Sequence, residues 1–192
     1  YRKALRVLQM AQKFSRPVVV FIDTPAAYPG VESEERGVAE AIALNLREMM
    51  MIEVPIIVMV CGEGGSGGAL GIAIGDRVLM QEFAVYSVIP PEGCAAILWK
   101  DAAQANLAAE SLRLTAEDLQ KFELIDGIIR EKKEWVYTES ENSNDLDPVT
   151  EAIKEQIVIN LSEIAKMSVD ELLLARYEKF RRMGSWSDRL TI

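Results

Sequence analysis

The stretch Cys61-Gly-Glu-Gly-Gly-Ser-Gly-Gly-Ala-Leu-Gly-Ile-Ala-Ile-Gly75 places seven glycines among fifteen residues. It follows the apolar run Val54-Pro-Ile-Ile-Val-Met-Val60, which reads as a buried strand. It runs into Ala69-Leu-Gly-Ile-Ala-Ile74, small residues suited to a helix packed tightly in a core. The order is therefore strand, glycine-rich turn, helix N-terminus. A turn of that kind leaves backbone N–H groups without helical partners at the start of the helix. Glycine also lets a ligand or a second backbone come close.

Three readings fit. The N–H groups could hold an oxyanion, which needs no side chain. The glycines could serve only tight backbone packing. The run could bind a nucleotide, but the Walker pattern requires a Lys that is absent here. Gly62, Gly64 and Gly67 satisfy the dinucleotide spacing Gly-x-Gly-x-x-Gly. Glu82 stands where a ribose-binding acid would follow. Nothing around Glu82 supports a ribose site.

Histidine is absent from the 192 residues, so Ser-His-Asp and Cys-His mechanisms cannot be assembled from this chain. Cys/His metal clusters are excluded for the same reason. Any chemistry rests on backbone dipoles, carboxylates, Lys, Tyr or a partner. The net charge of −9 argues against a nucleic-acid surface. No apolar run reaches membrane-spanning length and no secretory signal opens the chain. Cys61 and Cys94 read as free buried thiols, which fits a reducing cytoplasm. Hydrophobic residues at 49% support one domain with a sizeable core. The chain starts at Tyr1 rather than Met with helical periodicity already running, which suggests a longer chain that was trimmed.

Periodicity predicts a helix from Arg2 to Phe14 and a strand over Pro17 to Ile22 buried on both faces. The loop Asp23-Thr-Pro-Ala-Ala-Tyr-Pro-Gly30 follows, then one long helix from Glu34 to Met51. Strand, loop and helix recur twice, which implies parallel pairing through right-handed crossovers. Arg77–Met80 and Ala84–Val88 read as strands, and Pro90-Pro91 opens a helix. Asp101 to Leu114 reads as helical, Thr115 as an N-cap, and Leu124 to Ile129 as a turn into a final strand. Residues 130–146 are polar and read as an exposed loop, acidic near 139–145. Asp147-Pro148 caps a helix to about Lys166, and Ser168-Val-Asp-Glu171 is a capping box for a last helix ended at Gly184. The expected division is a core over 1–130, a polar loop over 131–146 and a helical extension over 147–192.

Four motifs stand in order: Asp23-Thr-Pro-x-Ala-Tyr-Pro-Gly30, Glu34-Glu-Arg-Gly37, Gly62-Glu-Gly-Gly-Ser-Gly-Gly-Ala-Leu70 and Pro91-Glu-Gly-Cys-Ala-x-Ile-Leu-Trp-Lys100. Together they resemble the alpha subunit of the bacterial acetyl-CoA carboxylase carboxyltransferase. The similarity runs from Tyr1 to about Ile129 and resumes loosely over the C-terminal helices. Against that family the N-terminal half is missing. The resemblance implies an α/β fold, a crotonase-like spiral of ββα units with C-terminal helices. It implies carboxyl transfer from carboxybiotin on a biotin carboxyl carrier protein to acetyl-CoA, giving malonyl-CoA. It implies a beta subunit in an α2β2 assembly, a biotin carboxylase alongside, and no metal in this chain. It assigns the N–H groups of Gly67 and Gly68 to the biotin ureido oxygen. The thioester side falls to the beta subunit.

Around that pair, Gly64, Gly65 and Ser66 shape the turn and border the substrate. Tyr28, Pro29, Glu92 and Gly93 are candidate pocket residues beside structural loop and capping roles. Glu63 reads as a turn residue. Trp99, Trp135 and Trp186 read as core or interface residues. Two further classes keep the same motifs open: a non-catalytic assembly module, and another crotonase-like enzyme such as an acyl-CoA hydratase, a lyase or a Clp-type protease. The protease needs a His. Three positions depart from the family. Ala26 replaces a Gly, which costs about 1 kcal/mol if that position requires positive φ. Pro90 replaces a Ser and removes a hydroxyl and an N–H. Glu131-Lys-Lys-Glu-Trp135 stands in place of a Gly-Gly-Ala-His segment.

Overall fold

In the computed structural model, which describes residues 1–131 and 147–184, strand β2 (Ile56–Gly65) is the axis of the molecule. Its first half, Ile56 to Val60, is fully buried. β2 pairs in parallel with β1 (Val18–Thr24) on one side and β3 (Arg77–Gln81) on the other. β3 pairs in parallel with β5 (Gly127–Ile129), giving the order β1-β2-β3-β5. Beyond the end of β3, the glycine half of β2 takes a fourth strand, β4 (Val85–Ser87), with Gly64 opposite Tyr86. Every ladder is parallel, as two strand-loop-helix units require.

Successive residues of β2 face opposite ways. Ile56, Val58 and Val60 join Ile22, Met49, Ile74 and Met80 in one core. The helices α1 (Arg2–Lys13), α3 (Val38–Met51) and α4 (Ser66–Leu70) bring Leu8, Met49 and Ala69 to that side. Ile57 and Met59 join Leu79, Ile129, Val149 and Leu172 in the second core. That side is closed by α8 (Pro148–Ile164) and α9 (Val169–Arg182). Helices α5 (Pro91–Trp99) and α6 (Ala105–Leu112) pack on each other around Cys94, Ala95 and Ala108, and α7 (Ala116–Lys121) leads into β5.

One charged side chain sits inside. Arg176 of α9 is 1% exposed. Its Nε and Nη2 both donate to the Asp76 carboxylate at 2.8 Å, a two-pronged pair. Nη1 donates to the carbonyls of Met49 (2.9 Å) and Ile52 (2.6 Å), and Nη2 to Val54 at 3.1 Å. Asp76 in turn accepts the N–H of Ile56 at 2.7 Å. One guanidinium thus ties the last helix to the end of α3 and the entry of β2. One turn on, Lys179 donates to the carbonyl of Gly75 at 3.2 Å and pairs with Asp126.

The structure corrects four expectations. β1 is an edge strand with Phe21 58% exposed, so only one of its faces is buried. An apolar run looks the same in a central strand and in an edge strand. The long helix from Glu34 is two helices, α2 (Val31–Glu35) and α3, broken where Gly37 takes φ 68. Asp101 to Leu114 divides into a short 3-10 turn at Ala102–Gln104 and α6. The glycine-rich segment is strand through Gly65 rather than an extended turn, because β4 supplies it with a partner. The remaining elements fall where expected, and the capping box at Ser168 and Glu171 is complete. Trp99 lies exposed on α5. Trp135, Trp186 and the acidic run near 139–145 lie outside the described residues.

Candidate active site at the strand-to-helix turn

The chain passes from β2 to α4 at one residue. Ser66 has φ 54, a left-handed conformation uncommon for a residue with a side chain. Such strain persists where the surroundings over-determine it, and it clusters at functional sites. The surroundings here are glycines held by close backbone. A Cβ on Gly65 would lie 1.7 Å from the Pro25 carbonyl oxygen, and one on Gly68 would lie 2.2 Å from the Ala27 nitrogen. The loop after β1 is thus clamped over the turn. Gly67 differs: the nearest atom to its Cβ position is Ile42 at 4.0 Å.

The N–H groups of Gly67 and Gly68 lie in the first turn of α4, where no preceding turn supplies carbonyls. Among the described residues neither donates to a group outside its own helix. The carbonyl of Gly68 is held by the Tyr1 hydroxyl at 2.9 Å, which fixes the peptide from behind. Ser66 and Gly67 open onto a cavity of about 410 Å³. Leu70, Ala73, Val78, Leu119 and Phe180 line it, with Tyr86 and Ser87 among the polar residues. A water-poor site of this kind strengthens any hydrogen bond made to a developing negative charge.

The ionisable groups nearby are not poised as bases. Burial pushes the Tyr86 phenol up to about 12. Burial, then Asp23, then Glu131 push the Cys61 thiol up to about 11. At pH 8 the thiolate fraction at Cys61 is then about a thousandth. Alkylation by iodoacetamide at that pH should run roughly two orders of magnitude slower than for a free thiol. A rate matching free cysteine would contradict the assignment. Glu82 is occupied: Arg130 donates to it at 2.7 Å and the Glu131 N–H at 3.0 Å. These bonds hold its carboxyl below the usual range and leave no ribose site.

The structure brings only part of the candidate set together. Ser66 and Gly67 line the cavity, Gly68 lies directly behind them, and Gly64 packs under the Tyr86 ring. Gly65 touches the loop at Pro25. Tyr28 lines a different cavity of about 380 Å³, with Tyr1, Arg2, Ala26 and Arg36. Pro29 is exposed, as is Glu92, and Glu92 and Gly93 sit in the first turn of α5. None of these three lines either cavity. Glu63 is exposed, and its N–H donates to Asp23. Ala26 is not among the positive-φ residues, so it carries no strain; its backbone presses on Gly68 instead. Pro90 is the N-cap of α5, and its carbonyl accepts the Cys94 N–H at 3.0 Å. Tyr1 and Tyr86 were not legible as site residues, because each stands in an ordinary apolar pattern.

The parallel sheet and its glycine elbow define a crotonase-like carboxyltransferase fold. It matches transcarboxylase 12S, solved with hydrolysed methylmalonyl-coenzyme A, at TM-score 0.68 and 20% identity over 85% of this chain and 30% of that one. It matches a Pseudomonas malonate decarboxylase hetero-tetramer in complex with coenzyme A at TM-score 0.69 and 14% identity, covering 93% and 73%. In sequence, residues 1–184 fit the family described as acetyl co-enzyme A carboxylase carboxyltransferase-like, and the chain belongs to that family. The acetyl-coenzyme A carboxylase carboxyl transferase subunit alpha of Geobacter metallireducens is 50% identical over 188 residues, 98% of this chain and 57% of that protein. The subunit alpha of a Cyanothece species is 54% identical over 186 residues, 96% and 55%. The chain spans about half the length of these curated relatives.

Proposed function

We propose that this chain is the biotin-side part of an acetyl-CoA carboxylase carboxyltransferase alpha subunit. It acts with a beta subunit in an α2β2 complex to move a carboxyl group from carboxybiotin to acetyl-CoA, giving malonyl-CoA. The observation that carries this is the elbow at Ser66, with the first-turn N–H groups of Gly67 and Gly68 beside an apolar cavity. The cavity suits biotin: its walls are apolar enough for a fused bicycle, and its mouth offers donors without a protein carboxylate. When bound, carboxybiotin supplies the carboxyl group and gathers negative charge on its ureido oxygen. The N–H groups of Gly67 and Gly68 donate to that oxygen. Each such donor contributes about 2.7–4 kcal/mol in comparable sites.

Tyr1 holds the Gly68 peptide so that the donors need no reorganisation, and the loop at 25–27 keeps α4 in place. Leu70, Val78 and Phe180 keep water out. No residue of this chain takes a proton in the scheme, which agrees with the absence of His. Biotin reaches the site on its carrier protein, charged by a biotin carboxylase, in the cytoplasm. Among the described residues no helix is long and apolar enough to cross a membrane.

The test is reconstitution. Mixed with a carboxyltransferase beta subunit, malonyl-CoA and free biotin, the chain should support the reverse transfer, read as acetyl-CoA release. Neither subunit alone should do so. A complex that forms and stays silent would sink the catalytic reading.

A further inference from the structure

Tyr86 stands opposite Gly64 in the ladder between β2 and β4, and its ring lies flat over that glycine. A Cβ on Gly64 would be 2.7 Å from the ring carbon Cδ2, so Gly64 makes the ring's seat and fixes its direction. The backbone N–H of Tyr86 donates to the Leu114 carbonyl at 3.1 Å, which holds the strand from the other side. The ring packs against the main core and lines the same cavity as Ser66 and Gly67.

The hydroxyl is the anomaly. Buried polar groups are normally hydrogen-bonded, and an exception calls for an explanation. Among the described residues the Tyr86 hydroxyl has no hydrogen-bond partner. The neighbouring Ser87 hydroxyl is already engaged, donating to the Ile89 carbonyl at 2.9 Å. Ser66 is exposed at the cavity mouth. Tyr86 is therefore the uncommitted side-chain donor of the cavity wall. Its phenol stays protonated at physiological pH because burial raises it.

We propose that Tyr86 is a ligand-binding residue of this cavity, its hydroxyl donating a hydrogen bond to the polar head of the cyclic urea that Gly67 receives. The inference rests on the reading that the cavity holds biotin. It adds a side-chain donor to the backbone pair and explains why β4 carries a phenol rather than a plain apolar residue beside Gly64. In the unliganded protein the hydroxyl is unpaired, and binding pairs it.

The test uses this chain alone, with biotin as the probe, followed by calorimetric titration of wild type and Tyr86→Phe. Phe keeps the ring over Gly64 and deletes only the donor. Affinity for biotin should fall about tenfold, the usual scale for one hydrogen bond in a dry site. The unliganded Phe variant should melt at or above the wild-type temperature, because no protein partner loses a bond. Equal affinity in the two proteins, no biotin binding by wild type, or a lower melting temperature for Tyr86→Phe would each overturn the assignment. The titration needs no second subunit. Silence in the reconstituted transfer assay would remove the catalytic reading and leave this one standing, and unchanged affinity would do the reverse.

Discussion

Replacing Arg176 by Met is expected to destabilise the chain by about 3–5 kcal/mol, the usual cost of removing one partner from a buried ion pair. Two effects add. Asp76 would remain as a buried carboxylate whose only other partners are backbone groups such as the Ile56 N–H. Three carbonyls, of Met49, Ile52 and Val54, would lose their donor in a place water does not reach. In a chain of this size that loss lowers the melting temperature by roughly 10 °C. Urea unfolding with an unchanged slope gives the energy directly. The double variant Arg176→Met/Asp76→Leu should recover much of it, because the uncompensated charge is gone. A single variant within about 0.5 kcal/mol of wild type, the range of ordinary surface changes, would mean that the clamp is dispensable.

The second large effect is at the turn itself. Gly65→Ala and Gly68→Ala should each cost about 3 kcal/mol, at the upper end for overpacking. The atoms that a methyl would strike are backbone: Pro25 O at 1.7 Å for Gly65, Ala27 N at 2.2 Å and Ala26 C at 2.4 Å for Gly68. A backbone carbonyl in a clamped loop cannot swing aside as a side-chain end can. Gly67→Ala should stay within about 0.5 kcal/mol of wild type, since its methyl meets open space and Ala favours the helix. Thermal melts of the three variants test the contrast. Equal losses at all three positions would show that the loop does not clamp the turn. The same geometry limits what a double Gly67/Gly68 variant can teach: the Gly68 change damages the fold, so only Gly67 isolates the chemistry.

Much of this architecture could be read from local pattern. The capping box at Ser168, the Thr115 cap, the strand at Arg77 and the helix from Arg2 are all set by near neighbours in sequence. The break at Gly37 was also written there, as a glycine inside an apolar period, but the period outweighed it. Other features depend on residues far apart. Whether β1 is central or at an edge is decided by which strands lie beside it, not by Val18 to Ile22. That Gly62 to Gly65 would be strand depended on β4 arriving about twenty residues later. Arg176 lies on an amphipathic helix where a charge ordinarily faces water. Its partner Asp76 is 100 residues away. The site was half legible: the glycines announced a turn with exposed N–H groups, but the clamp, the Tyr1 bond and the cavity wall are products of tertiary packing.

The most direct measurement is reverse carboxyl transfer by the reconstituted alpha–beta pair, comparing wild type with Gly67→Val at matched complex formation. Val at 67 leaves the loop untouched and places a branched side chain at the cavity mouth beside the two donors. The account predicts that kcat/KM for biotin falls at least about a hundredfold, the scale of losing one oxyanion donor, with the melting temperature unchanged. Full activity in a stably folded Gly67→Val complex would contradict it, and the turn would then be an element of packing alone.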